Sequence, residues 1–422
     1  MPHFQYIIPV MWTRTYAIFS DQRDGIMPDL THSDTRKSSF FTDTAPIRTF
    51  FAPGRINLIG EHLDYNGGYV FPAAISLGIT GRLQQRDDAI VRIKSEQAPG
   101  EVLADLEGNI TSGDAPAWAH YPLGALRYIR KSGSALTRGV NILYSSTLPQ
   151  GSGLSSSAAL EVLTSYMLTG ASIWSERDRL RIAVLMKDME NEHIGVQCGI
   201  MDQFTVALGK KGHAILLNSE TLAYDYVPVN TGSGSFIIMN SNRPRALADS
   251  KYNERRAQCD EALSLIREHK PQYRRLAEAE INDLESIRDH VLAKRARHVI
   301  TENKRVLESV EALRAGDLRR FGALLADSHR SLRDDYEVTG PELDALVEAA
   351  VKAPGCAGAR MTGAGFGGCA IALVENSHIA EFEAWVSDSY RNATGLAVDF
   401  YRSILEDGVR EMMPSRQAHH NH

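Results

Sequence analysis

The amino-acid sequence predicts an α+β protein of two lobes. Short apolar runs rich in β-branched residues crowd the first half, helical periodicities fill the middle, and an apolar run returns near the end. At 422 residues the chain is long enough for two or three cores. A glycine- and serine-rich stretch, Asn230-Thr231-Gly232-Ser233-Gly234, marks a boundary near residue 230.

Taken in order, residues 1–45 read as a poorly ordered leader, because Asp29–Thr44 is rich in Ser, Thr, Asp and Arg without a sustained period. The N-lobe is expected over 46–230, the C-lobe over 231–415, and a polar, histidine-rich tail over 416–422. Strands are expected at Ile90–Ile93, Gly139–Tyr144, Ala214–Leu217, Phe236–Asn240 and Ala370–Val374, each short and apolar. Helices are expected at Ala158–Leu168, Glu176–Lys187, Asn253–Glu268, Arg305–Arg314 and Pro341–Val351. In the fourth, Val306, Val310 and Leu313 recur at helical spacing. The basic run Lys294-Arg295-Ala296-Arg297-His298 reads as a solvated helix face.

Composition removes several classes of function. Net charge is −6, so there is no basic surplus to meet a nucleic-acid backbone. No apolar run reaches the ~18 residues that span a bilayer. The four cysteines, Cys198, Cys259, Cys356 and Cys369, are scattered without CxxC spacing and read as reduced thiols of a cytoplasmic protein.

Two glycine-rich loops stand out. Leu148-Pro149-Gln150-Gly151-Ser152-Gly153-Leu154-Ser155-Ser156-Ser157 runs into an apolar helical segment. It is either a glycine turn with a serine helix cap, or a cradle whose backbone N–H groups and serine hydroxyls hold a di- or triphosphate at a helix N-terminus. The usual GxxxxGK[ST] loop does not occur. Gly363-Ala364-Gly365-Phe366-Gly367-Gly368 formally satisfies GxGxxG, but an apolar strand follows it, where a dinucleotide loop would open a helix. It is either a plain tight turn or a close approach of backbone to ligand.

Charged residues cluster between apolar ones. Arg55, Glu61, His62 and Asp64 are interleaved with Ile56, Leu58 and Ile59. Such a group is either a buried salt-bridged turn or a polar pocket for a hydroxyl-rich ligand, since carboxylates accept from sugar hydroxyls and histidine donates or accepts. Glu190 is either a solvated helix carboxylate or an oxygen ligand for Mg²⁺. Asp202, among glycine and apolar neighbours, is either a helix cap or a positioned base.

Taken together, GRINLIGEHLDYNGGYVFPAAI, LPQGSGLSSSAALEV and GARMTGAGFGGCAIALV resemble the three motifs of the GHMP kinases, and within them the galactokinase branch. CGIMDQF, MNSNRPRALADSKYNERRAQC and SHRSLRDDYEVTGPELD resemble further segments of that branch, in matching order from about Phe50 to about Leu405. The resemblance implies a GHMP kinase fold: a ribosomal-S5-like N-lobe with the sugar signature and ATP loop, a ferredoxin-like C-lobe with the third motif, and the active site between them.

By position, the resemblance makes Asp202 the catalytic base and Arg55 the arginine beside the transferring phosphate. Glu61, His62, Asp64, Gly199 and Tyr252 correspond to sugar contacts. Gly151, Ser152, Gly153, Leu154, Ser155, Ser156 and Ser157 correspond to the triphosphate loop, and Ser157 with Glu190 to the Mg²⁺ ligands. Trp118 and Tyr121 fall where an adenine-side wall is expected. Ala364 departs from a glycine common in relatives, a change that a negative φ tolerates. The implied reaction is transfer of the γ-phosphoryl of ATP to the C1 hydroxyl of α-D-galactose by a monomer, with ATP and Mg²⁺ and no nucleic-acid or membrane partner. Two alternatives share the scaffold: a non-catalytic galactose and ATP sensor, and a related sugar kinase acting on N-acetylgalactosamine. The intact Ser155-Ser156-Ser157-Ala158-Ala159 run, with Arg55 and Asp202, favours the enzyme.

Overall fold

In the computed structural model the described residues are 40–413, apart from 44, 134–135, 170–173 and 244–247. Most of the leader and the tail from residue 416 lie outside them. The chain is anchored from Phe40 onward. That ring is buried under the Arg92 guanidinium at 4.5 Å, and the Thr42 N–H donates to Gln84 Oε1 at 2.9 Å.

A six-stranded mixed sheet carries the first half. Its strands are β1 (Ile47–Asn57), β3 (Pro72–Gln85), β4 (Ile90–Ser95), β5 (Glu101–Asp105), β6 (Val140–Ser146) and β13 (Arg410–Glu411), in the order β13-β1-β3-β6-β4-β5. Only β4 and β6 run parallel. The two long strands were not anticipated from the sequence, because each contains glycine or proline that reads as punctuation. β1 absorbs Pro53-Gly54 as an irregularity in its pairing with β3. Gly78 and Gly81 inside β3 leave room for Phe51 and Met167, which a Cβ would strike.

Helices α1 (His120–Lys131), α2 (Ser156–Leu168), α3 (Glu176–Met189) and α4 (Met201–Leu208) assemble beside this sheet, α2 and α4 packing directly on β1 and β3. Most of α2 and α4 is buried, which erases the amphipathic period a surface helix shows. A three-stranded sheet follows, β2 (Tyr69–Val70), β7 (His213–Asn218) and β8 (Tyr224–Pro228). Asn230–Gly234 then leads into β9 (Gly234–Asn240), which belongs to a different sheet.

That sheet is antiparallel, in the order β10-β11-β9-β12, with β10 (Cys356–Thr362), β11 (Cys369–Glu375) and β12 (Asp399–Arg402). Helices α7 (Leu318–Ser331), α8 (Gly340–Lys352) and α9 (Ile379–Thr394) cover it. α5 (Ala248–Arg267) and α6 (His290–Arg314) pack against each other, and α6 also packs on α7. The basic run in α6 corrects the expectation of a solvated face. Arg295 and His298 are buried, Arg295 bonding Gln258 Oε1 at 2.9 Å and Glu337 Oε2 at 2.8 Å. Only part of the run faces water, because a helical turn placed against α5 and the 332–337 segment must bury whichever residues point inward.

Candidate active site

β1 delivers Arg55 and leads into the Leu58–Gly68 turn, and α4 delivers Asp202. The two side chains form a two-armed ion pair, Nε to Oδ1 at 2.8 Å and NH2 to Oδ2 at 2.9 Å. Arg55 NH1 also donates to the Gly153 carbonyl at 2.6 Å, and Arg55 N–H to the Leu154 carbonyl at 3.1 Å. One strand therefore fixes both the acid and the glycine-serine loop.

That loop ends at the N-terminus of α2. Ser155 occupies the cap position with φ +63°, in the left-handed region, and its side chain does not cap the helix. The serine-cap alternative is not met at this position: the Ser155 hydroxyl donates instead to Asp202 Oδ2 at 2.6 Å. Left-handed backbone at a non-glycine residue costs on the order of 1–3 kcal/mol, a strain that clusters at functional sites. His62, which also lines the site, is one of five further non-glycine residues with positive φ among the described residues, at +64°, its carbonyl held by the Asn66 side-chain amide at 2.7 Å.

These groups line one cavity of about 240 Å³. Its wall includes Arg55, Glu61, His62, Asp64, Gly151, Gly153, Ser155, Ser156, Ser157, Glu190, Gly199, Asp202, Tyr252 and Ala364. Ser152 and Leu154 are buried beneath the loop and do not line it, nor do Trp118 and Tyr121. Trp118 gives its indole N–H to the Pro99 carbonyl at 3.2 Å. A second hollow of about 300 Å³ shares Asp64, Cys198 and Gly199. Its cations Lys187, Arg256 and Arg275 are already engaged by Asp188, the Gln197 carbonyl and Glu220. The first cavity holds the reactive groups.

Electrostatics divides this cavity. Burial, with the charges of Asp202 and Glu61, pushes Asp64 up to about 7 against the opposing pull of Arg55. Burial, reinforced by Asp202, likewise raises Glu190 to about 7, while Ser157, Cys198 and Gln203 bond its carboxylate. A buried carboxylate beside a hydroxyl, under repulsion from a second acid, suits a hard dication. Among the described residues no group of three His, Cys, Asp or Glu side chains is placed to hold a metal, so an ion here would rely on two protein oxygens plus phosphate and water, as Mg²⁺ does.

Glu61 is nearly enclosed. Its Oε1 accepts from Gly363 N–H at 2.6 Å and faces the buried Arg360 guanidinium at 3.4 Å, and its Oε2 accepts from Asn57. Burial raises it, with Arg360 and Arg55 opposing. Burial also drives His62 down to about 3, so its imidazole is neutral.

The loop 363–368 joins β10 to β11 as a hairpin, which excludes the strand-to-helix geometry of a dinucleotide loop. Ala364 is absent from the positive-φ residues, whereas Gly363 and Gly365 are at +87° and +81°. The methyl group at 364 is therefore unstrained.

Three residues bracing the site were not singled out in the sequence. Gln203 lines the cavity and donates to Glu190 Oε2 at 2.6 Å. Glu161 lies fully buried one turn into α2, within 3.4 Å of the Gln203 amide. Arg360 sits within the third motif, on β10, which the sequence reading does not include among its strands. The signal for Gln203 and Glu161 was a polar residue at an all-buried helical position, visible only once the helix is known to be enclosed.

A galactokinase galactose-binding signature matches residues 38–84, the GHMP kinase N-terminal domain residues 120–210, and the GHMP kinase C-terminal region residues 309–392. The galactokinase of Enterococcus faecalis is 48% identical over 369 residues, covering 86% of this chain and 95% of the relative. This chain belongs to the galactokinase branch of the GHMP kinases. The galactokinase of Lactiplantibacillus plantarum is 46% identical, covering 88% of this chain and 96% of the relative. Among solved structures, Lactococcus lactis galactokinase complexed with galactose superposes with a TM-score of 0.83 at 42% identity, covering 88% of this chain and 97% of that one. Methanococcus jannaschii mevalonate kinase, at 19% identity and a TM-score of 0.63, shares the fold alone. The expected GHMP fold class is thereby met.

Proposed function

We propose that the protein is an ATP-dependent galactose 1-kinase, converting ATP and α-D-galactose to ADP and galactose 1-phosphate. The observation that carries this reading is the convergence of the Arg55–Asp202 fork, the serine-bearing end of α2 and the Glu61–His62–Asp64 turn on one cavity.

The side chains divide the work. Asp202 accepts the proton of the C1 hydroxyl as it attacks, the sugar's most acidic hydroxyl because the ring oxygen withdraws charge. Arg55 steers that carboxylate and, from the same position, neutralises charge that grows on the transferring phosphoryl oxygens. Backbone N–H groups at the start of α2, with the Ser156 hydroxyl, face the cavity as anion donors, while the Ser155 hydroxyl is held by Asp202 and that of Ser157 by Glu190. Asp64, Tyr252 and His62 offer the polar contacts that read sugar hydroxyls, and Gly199 brings backbone close. Ser157 and Glu190 are the residues that would hold Mg²⁺. When bound, the ion would supply positive charge against the phosphates.

Every group in this scheme comes from one chain, which supports a working monomer. The four cysteines are thiols outside any disulfide, as in a cytoplasmic protein, and among the described residues no helix is long and apolar enough to cross a membrane. The test is ADP release across a panel of hexoses with ATP and Mg²⁺, repeated with EDTA. Turnover of galactose that EDTA abolishes is the expected result. ADP release without preference for galactose defeats the substrate assignment, and none with any hexose defeats the enzyme.

A further inference from the structure

Behind His62 runs a buried hydrogen-bonded chain. His62 Nδ1 meets the Tyr65 hydroxyl at 2.8 Å, Tyr65 meets the Tyr336 hydroxyl at 2.8 Å, and Tyr336 meets Cys259 Sγ at 3.1 Å. Tyr336 and Cys259 are fully enclosed, and Tyr65 nearly so. The Asn66 amide, which donates to the His62 carbonyl at 2.7 Å, also acts on the Cys259 thiol in the sense of a donor, opposing the rise that burial imposes. The other ring nitrogen, His62 Nε2, is buried without a hydrogen-bond partner, on a residue that lines the cavity.

The chain has a direction. An amide nitrogen only donates, so Asn66 uses the acceptor side of the Cys259 sulfur and leaves the S–H to donate to Tyr336. Tyr336 then donates to Tyr65, and Tyr65 donates to Nδ1. An Nδ1 that accepts carries no proton, so the neutral imidazole bears its hydrogen on Nε2. In the opposite direction the sulfur would receive two donors while its own S–H lost its place in the chain, a poorer use of buried polar groups.

We propose that Tyr65, Tyr336 and Cys259 are positioning residues that lock His62 as the Nε2–H tautomer, making it a hydrogen-bond donor to one hydroxyl oxygen of the bound sugar. The consequence is specific to this pocket. Asp64, Glu61 and Asp202 supply acceptors, so a donor held at Nε2 lets a hydroxyl that gives its proton to a carboxylate also receive one. The inference rests on the hexose reading of the cavity given above.

The test uses the full chain labelled with ¹⁵N-histidine. Two-bond ¹H–¹⁵N spectra report which ring nitrogen is protonated, and the His62 signals are assigned by their loss in His62→Gln. A protonated Nε2 and an unprotonated Nδ1 are expected. A proton on Nδ1 overturns the proposal, and this readout needs no folded variant of the chain residues. In steady-state kinetics Tyr336→Phe, which keeps the ring and removes the hydroxyl, should raise the galactose KM about 3- to 10-fold with kcat and the ATP KM within about twofold. Cys259→Ala should behave likewise, and Cys259→Ser, which retains a donor, should restore the galactose KM. An unchanged galactose KM in Tyr336→Phe, or an equal rise in both KM values, overturns the positioning role. Absence of galactose turnover in the parent protein would defeat the hexose reading instead, and leaves the tautomer measurement to stand by itself.

Discussion

Arg55 and Asp202 clasp each other through two parallel hydrogen bonds, with the arginine buried and 29% of the acid's side chain exposed on the cavity side. The partners lie 147 residues apart, on β1 and α4. The pairing decides which way the carboxylate faces. With Ser155 on Oδ2 as well, three protein donors orient it and leave a lone pair for a substrate proton.

Asp202→Asn removes the base and replaces one arm of the clasp with an amide N–H aimed at a guanidinium. Turnover should fall by ~10²–10⁴. Galactose binding measured by calorimetry should survive, since the residues proposed to contact the sugar, Glu61, His62 and Asp64, are carried by the Leu58–Gly68 turn and not by α4. Turnover within tenfold of the parent would exclude Asp202 as the base.

Gly199 lies against Asp64. A Cβ at position 199 would land on the Asp64 carboxylate, well inside van der Waals contact. Gly199→Ala must therefore displace the acid assigned to sugar hydroxyls. The loss of hydrogen bonds to a charged group predicts a galactose KM at least ~10-fold higher. The ATP KM should stay within about twofold, because α2 and its loop are untouched. A rise confined to the ATP KM would remove Asp64 from the sugar side of the cavity.

Legibility followed local chemistry. The glycine-serine loop, the Glu61–Asp64 turn and Asp202 were readable because each breaks the ordinary pattern of its neighbours in the sequence. The expected strands and helices with clear apolar periods are present, β11 and α3 among them. β1 and β3 were not read, since Pro53, Gly54, Gly78 and Gly81 imitate turn signals; their reason is the close approach of neighbouring strands and side chains. Arg295 and His298 were read as solvated because burial of a charged helical face is decided by what packs on it, here α5 and Glu337. Arg360, Gln203 and Glu161 were missed for the same reason: their partners are distant in sequence.

Arg360 offers a stability test. Its guanidinium is fully buried, donating to the Asn57 and Leu58 carbonyls at 3.0 and 3.2 Å and facing Glu61 at 3.4 Å. Arg360→Met leaves Glu61 enclosed without its counter-charge and should cost about 3–5 kcal/mol in denaturant unfolding. Adding Glu61→Gln should recover part of that loss, a coupling that a double-mutant cycle measures. Strict additivity would show that the two side chains do not interact.

Asp64 links the site to pH. Its folded-state value is pushed up to about 7 by burial and by the charges of Asp202 and Glu61, against an ordinary 3.8. Between these values the folded chain holds a proton that the unfolded chain releases. Stability from this group therefore falls as pH rises through the window and stays lost above about 7. Asn cannot ionise, so Asp64→Asn escapes the penalty. The difference in melting temperature, variant minus parent, should grow from pH 5 to pH 8 and then level off, while the variant's galactose KM is the worse of the two throughout. A difference that is constant or shrinks with pH would show that Asp64 ionises freely in the folded state. Growth of the difference together with weakened sugar binding would mean that a carboxylate costly to the fold is held there for the ligand.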